Sequence, residues 1–224
     1  GVLPKFNSTF NRYTVSETDN GDGTYKVIIS AMSTGDAPTS ISFHATANPS
    51  TVNLHSVEYV NTTRLTSMAN MFDGCANLVS VDTSGWDTSK VTSMTHTFTA
   101  CGNLTSIDVS RWDTSNVIYM DNMFNLCKLL ESIDVREWDV SRVVNMNAMF
   151  ANCTALKDLD VSEWDTSKVN NMSGMFQYST SLTSLDVSRW VTSNVTTIQS
   201  MFMSCSGLTS LDVSGWNVSL ITNL

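Results

Sequence analysis

The chain has 224 residues, 42 % of them hydrophobic and only 15 % charged, and carries a formal net charge of −9 from 12 basic and 21 acidic side chains. The length suits one large domain or two small ones, and the apolar share excludes a disordered polar tail. Phosphate contacts need Lys and Arg, so the acidic balance argues against nucleic-acid and anionic-membrane binding, and no apolar run approaches the ~20 residues of a bilayer span.

Taken in chain order, residues 1–53 read as an N-terminal β-rich cap. Gly1-Val2-Leu3-Pro4 lacks the regions of a signal peptide. Tyr13 and Val15, then Tyr25, Val27 and Ile29, alternate on either side of Asp19-Asn20-Gly21-Asp22-Gly23, which predicts a β-hairpin. Ile41, Phe43 and Ala45 alternate again between Pro38 and Pro49 and predict a further strand. From residue 54 a shortened repeat without Trp (Leu54, Val57, Tyr59, Leu65) leads into Met68, Met71, Phe72 and Cys75.

Residues 54–224 read as a solenoid. Trp86, Trp112, Trp138, Trp164, Trp190 and Trp216 fall at one fixed spacing of 26 residues. The column from Phe72 to Phe202 and the column from Leu78 to Leu208 keep the same period, and all five cysteines share one column in which Ser179 fills the remaining slot. A fixed period of this size marks stacked supersecondary units. Within a unit, Leu182, Leu185 and Val187 alternate with Ser184, Asp186 and Ser188 as a half-buried strand does. Asp-Thr-Ser then offers turn or cap chemistry. Val169, Met172, Met175 and Phe176 recur at spacings of three to four and predict a short helical or 3₁₀ return segment. The expected fold is a leucine-rich-repeat-like solenoid: one short strand per 26-residue coil in a parallel sheet, a helical or 3₁₀ return, and the N-terminal β cap. Ile221 to Leu224 stop inside a unit, so the chain is expected to be an excised or processed segment whose parent continues.

Most columns read as coil-building parts. The thiols lack the short spacings of a zinc site, and stacked parallel side chains rarely meet disulfide torsions, so buried free thiols are expected. Phe and Met read as core, and Trp as core or buttress, with a ligand-facing aromatic ladder as the alternative. Asp87, Asp113, Asp139 and Asp165 precede Thr-Ser as turn formers. The Thr88, Thr114, Thr166 and Thr192 column could form a flat Thr ladder, interrupted by Val140 and Val218.

The candidate ligand-binding residues face outward beside the strand. Asp82, Asp108, Asp134, Asp160, Asp186 and Asp212 form an acidic row, offset either by Ser hydroxyls and backbone amides or by a cation or basic partner. Calcium would need six to eight oxygens and the row supplies only some, so no metal and no cofactor are expected. Arg111, Arg136, Glu137 and Glu163, with Arg189, make the sequence non-uniform in mid-rod. His44, His55 and His96 share no triad spacing, and phosphate loops and metalloprotease motifs are missing, so an enzyme is not expected.

LTSLDVSRWVTSNVTTIQSMFMSCSG (182–207) and LKDLDVSEWDTSKVNNMSGMFQYSTS (156–181) resemble the bacterial surface protein 26-residue repeat of the BspA-like leucine-rich-repeat proteins. The resemblance spans about residues 65–224 and rests on the Trp-Asp-Thr-Ser and Met-Phe-x-x-Cys elements. It implies extracellular display, attached to the cell wall or as a lipoprotein through signals outside this segment. It also implies adhesion to a protein or glycan on a host or neighbouring cell, without nucleic acid or membrane insertion. A structural stalk is the main rival, and an ice-binding repeat built on the Thr ladder a lesser one.

Overall fold

The structure is a computed structural model that describes residues 13–19, 25–31 and 54–57, residue 62 and residues 64–223. Strands β1 (Tyr13–Asp19) and β2 (Tyr25–Ala31) pair antiparallel, as the alternation on either side of Asn20-Gly21 predicts. β2 then pairs parallel with β3 (Leu54–Val57), and β3 with β4 (Ser80–Val81), so this sheet leads directly into the first coil. The strand expected at Ile41, Phe43 and Ala45 lies outside the described residues.

From residue 64 onward the chain is a right-to-the-period solenoid. Parallel bridges join Ser67, Ser93, Tyr119, Asn145, Asn171, Thr197 and Asn223, each one repeat from the next. Inside, Phe72 to Phe202 stack with ring centroids 5.2 Å apart at the Phe72–Phe98 step and 6.1 Å at Phe150–Phe176. Trp86 to Trp216 stack beside them, at 5.5 Å for Trp86–Trp112 and 6.4 Å for Trp190–Trp216. Successive rings are near-parallel, an arrangement each coil can reach only by stacking on an identical neighbour. Leu, Val and Met columns complete one continuous core. Trp86 to Trp190 are therefore buried and Trp216 partly so, and the aromatic ladder facing a ligand is not formed.

The return segment differs from the sequence-based expectation. Among the described residues it forms no helix. Met71 and Cys75 amides do donate three residues back, to Met68 and Phe72 carbonyls, which gives the helix-like spacing of inward side chains. Yet Asn70, His96, Asn122, Ala148 and Ser200 share one column with Gly174, and all have positive φ. So does the column of Gly74, Ala100, Leu126, Asn152, Tyr178 and Ser204. A left-handed residue turns the peptide planes so that alternate N–H groups leave the turn and point along the stack. The amides of Met68, Asn70, Phe72 and Gly74 accordingly donate to the carbonyls of Ser93, Thr95, Thr97 and Thr99 at 2.8–2.9 Å. A helix would keep these donors for itself. The stack uses them between coils.

The strand segment differs in the opposite sense. Its alternation of buried and exposed side chains is present, with Ile107 and Val109 inside and Asp108 and Ser110 outside. Beyond β4, however, its backbone pairing reduces to the Ser132–Asp158 bridge and single bonds such as Glu131 N–H to the Thr105 carbonyl at 3.2 Å. The groups a parallel ladder would use are already engaged. Val109, Val135, Val161 and Val187 carbonyls accept the indole N–H of Trp138, Trp164, Trp190 and Trp216 at 3.0–3.1 Å. The Ser110 amide is taken by the Asp108 carboxylate. The continuous inter-coil ladder therefore runs along the return segment, and the LDV face keeps only a thin one.

The cysteine column is buried and its thiols are free. Each thiol from Cys101 on donates to the Phe carbonyl of the preceding coil: Cys101 to Phe72, Cys127 to Phe98 and Cys153 to Phe124 at 3.1–3.2 Å. Ser179 makes the same bond to Phe150 at 2.7 Å. The slot selects a small donor, which explains why Ser can enter it. Burial pushes the Cys153 thiol up to about 12.

Two outcomes follow for stability. Cys153→Ser should melt close to the parent, whereas Cys153→Ala should lose about 1 kcal/mol because the donor is removed; equal denaturant midpoints for the two variants would contradict the donor role. Ala100→Gly should gain a few tenths to about 1 kcal/mol, since the left-handed conformation strains a Cβ while the added chain entropy offsets part of the relief. A lower midpoint for Ala100→Gly would contradict the assigned backbone geometry.

Candidate functional site

The LDV face is built from the outward half of each strand segment. Asp82, Asp108, Asp134, Asp160, Asp186 and Asp212 all stand exposed there. Each folds back on its own coil: one carboxylate oxygen accepts the amide two residues on, at 3.0 Å for Ser84, 3.1 Å for Ser110 and 2.9 Å for Ser214. The hydroxyls of Ser110, Ser162 and Ser188 add a second bond at 2.7 Å. These serine bonds hold the carboxyls of Asp82, Asp108, Asp160, Asp186 and Asp212 below their ordinary range. A neighbouring Asp in the row works weakly against this at Asp108, Asp160 and Asp186. The row is thus both a set of turn formers and a stripe of ionised carboxylates. Among the described residues no three His, Cys, Asp or Glu side chains converge on a point where they could hold a metal ion.

The second acidic column is turn chemistry. Asp87, Asp113, Asp139 and Asp165 accept the amides of Ser89, Ser115, Ser141 and Ser167 at 2.9–3.1 Å. The Thr column beside it is buried, and Thr88, Thr114, Thr166 and Thr192 donate to carbonyls of the next coil at 2.9–3.1 Å. An ice-binding surface needs those hydroxyls exposed in a flat array. They are inside and already bonded, so the Thr ladder offers no such surface.

The face stops being uniform in the coils that start at Leu130 and Leu156. Arg136 occupies the Ser column and grips Asp134 with two parallel bonds, Nε and Nη2 each 2.9 Å from a carboxylate oxygen. The bond from the Arg136 side chain holds the Asp134 carboxyl down at about 2. Glu131 and Lys157, in a column otherwise Val or Thr, pair across coils at 3.0 Å. Arg189 pairs with Glu163 one coil away. Arg111 and Glu137 lie in that same column, both exposed, with no ion pair between them among the described residues. Asp158 replaces the Ser of its column. Between these groups lies a shallow depression of about 390 Å³, lined by Ser132, Ile133, Asp134, Arg136, Asp158, Leu159 and Asp160.

Of the residues singled out in the sequence, Asp134, Asp160 and Arg136 meet at this depression, and Glu137, Glu163 and Arg111 fall along the column beside the Trp. Asp82, Asp108, Asp186 and Asp212 belong to other coils of the row. Glu131, Lys157 and Asp158 were missed. The signal was present as a double break in a Val and Thr column and a single break in a Ser column. His96 bonds the Thr99 hydroxyl through Nδ1 at 3.0 Å and sits in a left-handed column, where backbone sign rather than side-chain chemistry is the constraint.

Since each carboxyl of the row titrates lower in the folded chain than its ordinary 3.8, its contribution to stability is complete above that value and is lost as the pH falls. For Asp134 the loss runs down through about 2. Urea unfolding between neutral pH and pH 2 should show a flat upper arm and a decline below pH 4, shallower in Asp134→Asn; an identical decline in the variant would sink the assignment.

A protein-family profile described as "Mycoplasma protein of unknown function, DUF285" matches residues 40–155 and 125–224. No curated protein matches the chain. Among solved structures, the crystal structure of a T. pallidum leucine-rich repeat protein is similar, at 16 % identity and a TM-score of 0.35 over 92 % of each chain. The solenoid assignment rests on the coil geometry described above and not on that superposition.

Proposed function

The chain belongs to the DUF285 family, and from that premise we propose that it is a non-catalytic interaction module whose LDV face binds a protein or glycan on a host or neighbouring cell. The observation that carries this reading is the contrast between interior and face. Every buried column is occupied for stacking, whereas the coils from Leu130 and Leu156 change three exposed columns at and beside one depression. Stacking does not require those changes. Asp134, Asp158 and Asp160 outnumber Arg136 there, which favours a partner offering cationic or hydrogen-bond-donor groups.

Repeats in one rigid array give a ligand a pre-organised surface, and order lost on binding is correspondingly small. The thiols are buried and held protonated, and His96 is engaged with Thr99, so neither supplies an activated nucleophile. The resemblance to BspA-like repeats supports display outside a bacterial cell, attached to the wall or as a lipoprotein. A stalk that only spaces another domain is the second reading, favoured by the small worth of exposed ion pairs such as Arg189–Glu163.

The test is binding of the purified chain to cells, matrix proteins and glycan arrays, with Asp134→Asn/Asp160→Asn as the probe. Asn keeps the turn-forming oxygen while removing the charge. Binding lost in this variant, and kept in Asp82→Asn, is the expected result. No binding to any surface or array would leave the stalk, and binding indifferent to both variants would displace the site from the LDV face.

A further inference from the structure

The LDV segments of successive coils are tied sparingly, and one internal seam lacks the ties of its neighbours. Between the coils that start at Leu104, Leu130, Leu156 and Leu182, each seam carries one backbone bond and one indole bond. The Glu131, Lys157 and Thr183 amides donate to the Thr105, Glu131 and Lys157 carbonyls at 3.2–3.5 Å. Trp138, Trp164 and Trp190 donate to the Val109, Val135 and Val161 carbonyls at 3.0–3.1 Å. Toward the cap, the β3–β4 ladder joins the coil from Leu78 to the sheet.

Between the coils from Leu78 and Leu104 neither arrangement is present. Among the described residues the Thr105 amide makes no bond to Val79, and the Trp112 indole N–H has no acceptor although that residue is only 4 % exposed. The Trp86 indole is also without an acceptor, but on the side that the ladder holds. Thr83 stands where the following coils carry Val109, Val135, Val161 and Val187. Its buried hydroxyl donates to the Asp108 carbonyl, so the bond crossing the LDV segment here runs from the earlier coil to the later one. The Thr83 carbonyl accepts the Trp86 amide at 3.0 Å but not the Trp112 indole. The return segment is intact at the same step. Met94, His96, Phe98 and Ala100 amides reach the Tyr119, Asp121, Met123 and Asn125 carbonyls at 2.8–3.0 Å.

We propose that this seam is a hinge, which opens along the LDV face while the return segment stays joined as its spine. A buried N–H without an acceptor disfavours the closed form, because opening lets water supply the missing bond. Where the same indole has its Val carbonyl, opening loses a bond instead. The sheet β1–β4 and the coil from Leu78 therefore move as one unit against the coils from Leu104 onward. The depression between Arg136 and Asp158 lies wholly beyond the hinge, so this motion does not depend on binding there.

Solvent exchange of the six indole N–H groups, followed by NMR on the intact chain, tests the hinge. Trp112 should exchange at least about tenfold faster than Trp138, Trp164 and Trp190. The Phe98 and Ala100 amides should stay as protected as those of Phe124 and Leu126. Thr83→Val restores the residue of the column and should slow Trp112 at least about tenfold, toward Trp138. Equal rates for Trp112 and Trp138 in the parent chain overturn the hinge, and so does a Trp112 rate unmoved by Thr83→Val. Loss of protection at Phe98 and Ala100 together with Trp112 also overturns it, since the two coils would then part along their whole contact. The comparison within the parent chain decides the matter even if the variant fails to fold.

Discussion

The structure depends on a backbone constraint: twice in each coil a residue is held at positive φ, and this turns alternate amides out of the turn and onto the next coil. Without it the return segment would satisfy itself as a helix, and the coils would lose the axial backbone bonds of that segment. With it, Phe72 sits at a fixed height above Phe98, the rings stack, and the thiol of Cys101 reaches the Phe72 carbonyl. A left-handed Cβ costs on the order of 1 kcal/mol, yet Leu126 and Tyr178 both accept it. The axial bonds they allow are shared by every junction, which is why the conformation persists through changes of residue.

That constraint also divides the surface. The return segment has its backbone committed to stacking, while the LDV segment has its carbonyls taken by Trp indoles and its amides by Asp carboxylates. The second segment is therefore satisfied largely by side chains, its own Asp and the Trp of the next coil, and its outward side chains are released from any structural duty beyond the Asp itself. Exposed columns there can drift or be selected without disturbing a coil. The cluster of Arg136, Glu131, Lys157 and Asp158 is such a departure.

Much of this was legible in the sequence, for reasons that differ by column. The period, the Phe, Trp and Leu core and the Asp turn formers were legible because stacking demands the same apolar volume or the same short oxygen each time. The left-handed columns were not, because Asn70, His96, Ala148 and Gly174 share no side-chain property that announces a backbone sign. The spacing of Met172, Met175 and Phe176 points to a short helical or 3₁₀ segment because linked tight turns direct side chains inward at the same interval. The role of the cysteines was half legible: Ser179 showed that the slot tolerates oxygen, but the Phe carbonyl it serves belongs to another coil. At the candidate site, Asp134 and Arg136 stood out by type, whereas Asp158 became meaningful only once folding set it beside them.

The axial amides described for the return segment have one more consequence. In each interior coil four peptide N–H groups point toward the following coil, while bonds running the other way, such as those from the Ile118 and Glu131 amides to the Thr92 and Thr105 carbonyls, are fewer. Peptide dipoles aligned in one sense add along an axis as they do in a helix. Within the return segment the peptide groups that carry these bonds therefore stack in one sense from coil to coil, a directional order that the rest of each coil does not share.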